Sequence, residues 1–306
     1  MEVSHHVPVV LYLFALIAVV IFIYNLRIFF AIRIGKSDPD NKIKIIPAIL
    51  NLTYFGILQR RVFRISSIYA SIMHFLIGFG FFILLFATTV DFFLARGWFV
   101  KYLPQLDTPW FALLNDTGGI MALIGILLAL YRRHFNKPKS LPQDAFKGRG
   151  NLLGDSGILL YILLLIIGGF LSEASRLAID MPSTAQYSWV GYRISGLISS
   201  EMWASVEPVL WWSHALLSFL IIAFIPNTKI FHTIASTINI ALTNRDSRGK
   251  VKPMFVSKLM EDPDMDVDEI SLGSNKLDDF TWKQLLDSIA CTECGRCTNV
   301  CPAYNT

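Results

Sequence analysis

The sequence predicts an all-α membrane protein that ends in a short cysteine-rich tail. The chain has 306 residues, of which 54% are hydrophobic and only 16% are charged. A soluble core does not need that balance, whereas membrane-spanning helices of about 20 apolar residues do. All four cysteines lie in the last sixteen residues, which argues against a disulfide framework and for a metal centre.

Five apolar runs define the predicted transmembrane helices. They are Val7–Phe30, Ile65–Val90, Trp110–Tyr131, Leu152–Leu171 and Val209–Phe231. The first run has no basic region before it and no small-residue cleavage site after it, so we expect a retained helix rather than a signal peptide. With their connections, the five runs form a predicted membrane domain over residues 1–241.

Positive charges alternate between the connections and predict the orientation. Three regions are basic, and they carry Arg33, Lys36, Lys42, Lys44, Arg60, Arg61 and Arg64, then Arg132, Arg133, Lys137, Lys139, Lys147 and Arg149, and finally Lys229, Arg245, Arg248, Lys250 and Lys252. The positive-inside rule then places the N-terminus outside and the C-terminus in the cytoplasm. We expect a multi-pass protein of the cytoplasmic (inner) membrane of a prokaryote, surrounded by membrane lipid. The segment Ile43–Phe63 is expected to lie at the cytoplasmic interface.

The cysteines of the tail have the spacing of an iron–sulfur motif. Cys291, Cys294, Cys297 and Cys301–Pro302 spell C-x2-C-x2-C-x3-C-P, which is the bacterial [4Fe–4S] pattern. In two-cluster domains the cysteine before proline binds the other cluster, whereas structural zinc sites have two separated pairs. We therefore predict that these four cysteines are iron ligands.

The tail is expected to be the start of a larger domain. A linker over residues 242–278 precedes a ferredoxin-like [4Fe–4S] segment over residues 279–306, which begins with an amphipathic helix at Phe280–Ala290. The chain stops five residues after Cys301, where a second cluster motif would follow. We expect a truncated domain with two clusters in the full protein, or a second subunit that completes the site.

Three histidines in the predicted spans are candidate haem ligands. Trp211–His232 is predicted to be one membrane-spanning helix. His214 and His232 are 18 residues apart in it, so they leave the same face, about 27 Å apart along the axis. His74 lies in the second run, and Gly78 one turn on leaves room for a flat macrocycle. Neutral imidazole binds haem iron axially, and ionisable side chains within spans indicate function. The alternative is that these histidines are interfacial or packing residues.

Other polar residues in the spans have simpler interpretations. Glu173 and Arg176 are expected to form an ion pair, with a quinone or proton-path role as the alternative. Asp116 and Asp155 are expected to cap helix N-termini. His134 is expected to be solvated or near lipid phosphate.

Several of these features resemble known respiratory proteins. The five spans, the histidine pair and the element Pro226–Asn227–Thr228–Lys229 before His232 resemble the cytochrome b subunit of respiratory nitrate reductase and the membrane subunit of heterodisulfide reductase. The continuation DDFTWKQLLDSIACTECGRCTNVCPA resembles the catalytic iron–sulfur subunit of heterodisulfide reductase. The fused order, over nearly the whole chain, resembles the membrane-bound oxidoreductases that pass electrons between electron-transfer flavoprotein and menaquinone.

The resemblance implies a five-helix cytochrome b bundle with one or two haems b. It pairs His74 with His232 on the cytoplasmic side. A second haem in the nitrate reductase pattern needs a histidine ten residues after His74, where this chain has Leu84.

Helix-length counting leaves a second pairing open. Counted inward from Arg64 and Lys229, His214 matches the depth of His74 better than His232 does. If His232 is the partner of His74, then His214 needs another partner, such as His5 or His6, or serves a quinone pocket.

The function implied by the resemblance is that of a quinone-linked iron–sulfur and haem oxidoreductase. Electrons would pass between a cytoplasmic electron-transfer flavoprotein and menaquinone through [4Fe–4S] clusters and haem b. The alternative is a heterodisulfide-reductase-like or sulfite-pathway membrane complex that uses a thiol/disulfide substrate. A transporter or sensor with a regulatory cluster is a different class, against which the histidine pair argues. We expect no nucleic-acid partner.

Overall fold

The computed structural model describes residues 9–37, 44–63, 67–94, 97, 108–141, 153–243 and 276–305. The expectations for His5, His6, Arg64 and most of the linker over residues 242–278 lie outside these ranges. The chain divides into two compact units. The first unit comprises Met1–Asn25, Arg61–Lys229 and Cys294–Thr306, and the second comprises Leu26–Arg60 and Ile230–Glu293.

The described residues are mostly helical and contain no β-strand. The α-helices are α1 (Val9–Asn25), α2 (Ile45–Asn51), α3 (Ile68–Leu94), α4 (Pro109–His134), α5 (Gly154–Asp180), α6 (Trp189–Ser195), α7 (Ser200–Phe224), α8 (His232–Ala241), α9 (Trp282–Ile289), α10 (Arg296–Asn299) and α11 (Pro302–Asn305). Five stretches are long and apolar enough to cross a membrane, namely Val9–Ile34, Ile68–Leu94, Pro109–His134, Gly154–Asp180 and Ser200–Asn227. The five predicted spans are confirmed at this level, while the cytochrome b and ferredoxin-like folds stay predictions.

The long helices of the first unit pack side by side in the order α3, α4, α5, α7 and α1. Between α4 and α5, Ala122 and Ile126 meet Ile166 and Phe170 in a buried apolar core. The backbones of α3 and α4 approach closely at Gly80, where a Cβ would lie only 2.6 Å from the backbone nitrogen of Ala122. Small residues that permit such approach are the usual basis of helix packing in membranes.

A buried ion-pair network joins the spans at one end of this bundle. Arg133 in the last turn of α4 and Lys229 after α7 both bind the Asp155 carboxylate. Asp155 lies in the first turn of α5, as predicted for a residue that complements the helix dipole. Its charge also stabilises both cations, and Arg133, whose side chain is only 8% exposed, would be costly to bury alone.

The predicted fifth span is not one continuous helix. α7 ends at Phe224, Pro226 lies in a short 3-10 turn, and His232 begins the separate helix α8. The prediction that His214 and His232 leave the same face of one helix is therefore wrong. Pro226 has no N–H to donate to the carbonyl four residues earlier, so one helical hydrogen bond is missing where α7 gives way to the 3-10 turn.

The second unit is built around α8 and α9. α9 packs against α8 and against the 3-10 stretch Leu26–Ile34, and α2 packs against α8 as well. The amphipathic helix predicted at Phe280–Ala290 is confirmed as α9, with Leu286 only 2% exposed. A capping box of Thr281 and Gln284, which the sequence analysis missed, begins this helix.

The predicted interfacial segment Ile43–Phe63 is helical over Ile45–Ile57 and non-helical from Leu58 to Phe63. α2 is followed by a π-helical turn at Leu52–Ile57. Its apolar side chains include Ile45 and Ile46, which are 74% and 72% exposed. Such a face suits an interface, although its position at the membrane stays a prediction.

Candidate functional site

The four motif cysteines follow the end of α9. Ala290 closes the helix, and the Cys291 N–H donates to the carbonyl of Ser288 over 3.3 Å. None of the four cysteines forms a disulfide; Cys291, Cys294 and Cys297 are exposed and Cys301 is half-buried. Cys291 belongs to the second unit and the other three belong to the first.

Two left-handed residues bend the cysteine segment. Glu293 has a φ of 52° and Gly295 a φ of 74°. This is a backbone region that residues other than glycine rarely adopt. The short helix α10 then carries Cys297, and Pro302 begins α11, where its missing N–H costs no helical hydrogen bond.

The segment from Cys294 onward is attached to one end of the helix bundle in the first unit. Arg296 Nη1 donates to the carbonyl oxygen of Arg61 over 2.8 Å. Gly295 lies against the backbone of Ser140, because a Cβ at this glycine would approach the Ser140 oxygen to 2.4 Å. Arg61 precedes α3 and Ser140 follows α4, so the tail lies at the end of the bundle where α3 begins and α4 ends.

The fit of an iron–sulfur cluster rests on the donor set. Within the described ranges, no three His, Cys, Asp or Glu side chains lie close enough together to hold a metal ion. Thiolates are the ligands that iron–sulfur clusters prefer. The four thiols, none of them in a disulfide, therefore fit the group by their chemistry, and Cys291, Cys294, Cys297 and Cys301 are the residues that would hold it.

His74 lies in the second turn of α3, at the end of the bundle that carries the tail. His74 is half-buried. The neighbouring Tyr69 hydroxyl donates to the carbonyl of Leu128 over 2.8 Å, which fixes this end of α3 against the second half of α4.

His214 lies in the middle of α7 and faces α5. Its imidazole packs on Gly168 and Gly169, where ideal Cβ atoms would lie 3.3 and 3.4 Å from the ring. It lies close to the Leu165 carbonyl, but the buried Nδ1 atom has no hydrogen-bond partner among the described residues. An orphaned buried ring nitrogen is costly unless a ligand completes it, so this histidine fits a haem ligand.

His232 is the first residue of α8 and belongs to the second unit. One turn further on, Ser236 Oγ donates to the Ala290 carbonyl over 3.1 Å. Ala290 directly precedes Cys291, so α8 supports the start of the cysteine motif within this unit. The pairing of His74 with His214 or His232 stays a prediction.

A buried carboxyl cluster lies at the other end of the bundle. The expectation that Asp116 caps its own helix is wrong, since it lies two turns into α4 and accepts the backbone N–H groups of Val190 and Gly191 at the start of α6. Glu173 of α5 accepts a hydrogen bond from Ser188 Oγ over 2.9 Å. The sequence analysis did not predict α6, so it could not place Asp116 and Glu173 together.

An apolar cleft of about 530 Å³ opens between α1 and α7. Its lining includes Ile17, Ala18, Ile21, Ser213, Leu217 and Leu220. Ser213 is the polar residue among these, so the cleft suits an apolar chain rather than a polar substrate.

No protein-family model and no solved structure matches the chain. It is 30% identical over 89% of its length to the EtfAB:quinone oxidoreductase of Syntrophomonas wolfei subsp. wolfei, of which it covers 37%. It is 28% identical over 94% of its length to the "Probable iron-sulfur-binding oxidoreductase FadF" of Bacillus subtilis, of which it covers 39%. It is also 37% identical over 79 residues, 24% of its length, to 11% of a "Probable membrane-anchored ferredoxin" of Chromohalobacter salexigens.

These similarities agree with the predicted class of protein. The chain spans well under half the length of the two oxidoreductases that it matches over most of its own length. None of the three names mentions haem or cytochrome b. The chain is thus similar, along nearly its whole length, to part of larger iron–sulfur and quinone-linked oxidoreductases.

Proposed function

We propose that this chain is the membrane portion of an oxidoreductase that passes electrons between an electron-transfer flavoprotein and menaquinone. The observation that carries the proposal is the attachment of a [4Fe–4S] cysteine segment to one end of a bundle of spanning helices, through Arg296 and Arg61. The names of two relatives, which refer to EtfAB, quinone and iron–sulfur binding, support it.

The cysteine segment is the proposed entry point for electrons. Cys291, Cys294, Cys297 and Cys301 would hold a [4Fe–4S] cluster, with a second cluster in the longer protein. When bound, the cluster and haem b would each carry one electron at a time. The exposed thiols and their basic neighbours Arg61 and Arg296 leave this side open to a soluble protein donor.

His74 is the proposed haem ligand on α3, with His214 or His232 as its partner. His74 lies at the tail end of the bundle, which keeps a haem there near the cysteine segment of the same unit. The orphaned Nδ1 atom of His214 supports His214, and the hydrogen bond from Ser236 to Ala290 supports His232 by linking α8 to the motif.

The orientation proposed is N-terminus outside and C-terminus in the cytoplasm. The tail contacts residues that flank two of the basic connections, at Arg61 and Ser140. A tail on the cytoplasmic side can therefore meet a cytoplasmic flavoprotein without crossing lipid. The apolar cleft between α1 and α7 suits the isoprenoid chain of menaquinone.

Bleaching of a reduced flavoprotein tests this function directly. Purified full-length protein should oxidise reduced electron-transfer flavoprotein in the presence of a menaquinone analogue. Cys294→Ala should abolish the reaction, whereas Thr298→Ala, a change in the same segment that removes no thiol, should not. Equal rates in the wild type and Cys294→Ala would remove the cysteine segment from the path. Activity on a thiol/disulfide couple, without flavoprotein oxidation, would favour the heterodisulfide-reductase-like alternative.

A further inference from the structure

The carboxyl groups of Asp116 and Glu173 meet at the end of the bundle opposite the cysteine tail. Asp116 lies about two turns from the start of α4 and is 1% exposed. Glu173 lies about two turns from the end of α5, and its carboxyl group packs against Gly191, whose N–H binds Asp116. The sequence analysis did not anticipate that Asp116 and Glu173 lie close together.

Each carboxyl group has one oxygen with a clear donor. Asp116 Oδ2 accepts the N–H groups of Val190 and Gly191 over 2.6 and 3.3 Å. Glu173 Oε1 accepts the Ser188 hydroxyl over 2.9 Å. The remaining oxygen of Asp116, Oδ1, is buried and has no donor among the described residues.

A proton between the two groups resolves this arrangement. Ionised carboxylates only accept hydrogen bonds. If both groups were ionised, they would repel each other and leave Asp116 Oδ1 without a donor. Asp116 Oδ2 already receives two backbone donors, so the donor missing at this site is the one for Oδ1. Glu173 is then the group that carries the proton and donates it to Asp116 Oδ1.

We propose that Asp116 and Glu173 form a proton-binding site in which Glu173 carries one exchangeable proton. The surrounding groups fit this occupancy. Arg176 lies about one turn after Glu173 on the same helix, so its charge can balance the single negative charge that remains. Gly191 leaves room for the Glu173 carboxyl, because a Cβ there would lie 3.0 Å from Oε2.

Infrared spectroscopy of the purified protein tests the site without any added donor or quinone. The wild type should show the C=O stretch of a protonated carboxyl group, with a shift in D2O that marks the proton as exchangeable. Glu173→Gln should lose this band and keep its fold, because the amide can donate to Asp116 and accept from Ser188. Glu201→Gln, which changes an exposed carboxylate in the first turn of α7, is the matched control and should keep the band.

A second variant protects the test against a folding defect. Asp116→Asn should also lose the band, because an amide at position 116 can donate its own N–H to an ionised Glu173. A wild-type spectrum without the band overturns the proposal. A band that persists in Glu173→Gln does so too, because the proton then belongs to another group.

The use of this site in turnover rests on the proposed function. Reduction of a quinone takes two electrons, from the flavoprotein, and two protons. For each of the two protons in turn, Glu173 releases the proton of its O–H, becomes a carboxylate, and regains a proton from water at the end of the bundle opposite the tail. Electrons and protons would then enter from opposite ends.

Quinone reduction by the Glu173→Gln protein tests this use. The rate should fall by about 100-fold, the lower range of what a positioned proton donor contributes. Reduction of the cysteine-bound cluster should be unchanged. A wild-type quinone-reduction rate in the variant overturns the role in turnover. If the wild type reduces no quinone, the proposed function fails, and the infrared band alone decides the proton site.

Discussion

Arg133 of α4 and Asp155 of α5 form a buried ion pair in which Nη2 lies 2.6 Å from Oδ2. Lys229 Nζ lies 2.7 Å from the other carboxylate oxygen, so one acid joins three segments of the bundle. The side chains of Arg133 and Asp155 are only 8% and 11% exposed, which makes each charge dependent on the other.

Asp155→Asn should therefore destabilise the bundle strongly. The amide would leave Arg133 and Lys229 without their counter-charge in a buried site, at a cost of about 3–5 kcal/mol. Thermal unfolding of the purified protein in detergent measures the effect. Asp287→Asn is the matched control, because Asp287 is 54% exposed in its pair with Lys283 and its loss should cost less than about 1 kcal/mol. Equal melting temperatures for the two variants would contradict the role given to Asp155.

Gly80→Ala should loosen the packing of α3 on α4. The added Cβ would lie 2.6 Å from the Ala122 nitrogen and 2.7 Å from the Gly118 oxygen, so the two helices must separate. Overpacking of this kind costs about 1–3 kcal/mol, which detergent unfolding can detect. Gly56→Ala is the control, because a Cβ at Gly56 meets no atom within 4 Å. A Gly80 variant as stable as the Gly56 variant would show that the helices do not approach so closely.

Single histidine variants should identify the haem ligands. His74→Ala should abolish the b-type bands in the dithionite-reduced minus oxidised spectrum, because both proposed pairings use it. His134→Ala should leave them unchanged, since His134 is exposed at the end of α4.

The same spectra distinguish the two pairings. Loss of the bands in His214→Ala but not in His232→Ala assigns the partner to α7, and the reverse assigns it to α8. Retention of full haem in His74→Ala would rule out both pairings.

Cys294→Ala should remove the low-temperature electron paramagnetic resonance signal of the reduced [4Fe–4S] cluster, because the loss of one iron-binding thiolate destabilises the cluster. Haem bands should persist, since the histidines lie on other helices. Thr298→Ala should retain both signals. A cluster signal of full intensity in Cys294→Ala would exclude this cysteine as a ligand.

The sequence predicted the spans well because long apolar runs have few structural alternatives in a membrane. The run Ile65–Val90 corresponds to α3 at Ile68–Leu94. The run Leu152–Leu171 was too short, because α5 continues to Asp180 through polar residues. The hydropathy of the sequence does not indicate this extension. Glu173 is stabilised in the helix by contacts with Asp116 and Ser188, which are distant in sequence.

The main errors arose where local chemistry or distant contacts decide the structure. α7 ends at Phe224 and Pro226 lies in the turn after it, so the spacing of His214 and His232 carries no helical phase. A proline alone does not mark such an end, because Pro208 lies inside α7. α6 escaped prediction because seven residues are too few for a clear periodic pattern. The cysteine motif was recognised because its short spacing is itself the signal.

The contrast between the exposed cysteines and the buried Nδ1 atom of His214 has a consequence for how the protein matures. Thiols of Cys291, Cys294 and Cys297 are open to solvent, so a scaffold protein can hand over a preassembled cluster after the chain has folded and entered the membrane. The Nδ1 atom of His214 is enclosed between α7 and the glycine pair of α5. If His214 binds haem, the haem has to arrive before those two helices close, so haem loading precedes cluster delivery in the biogenesis of this protein.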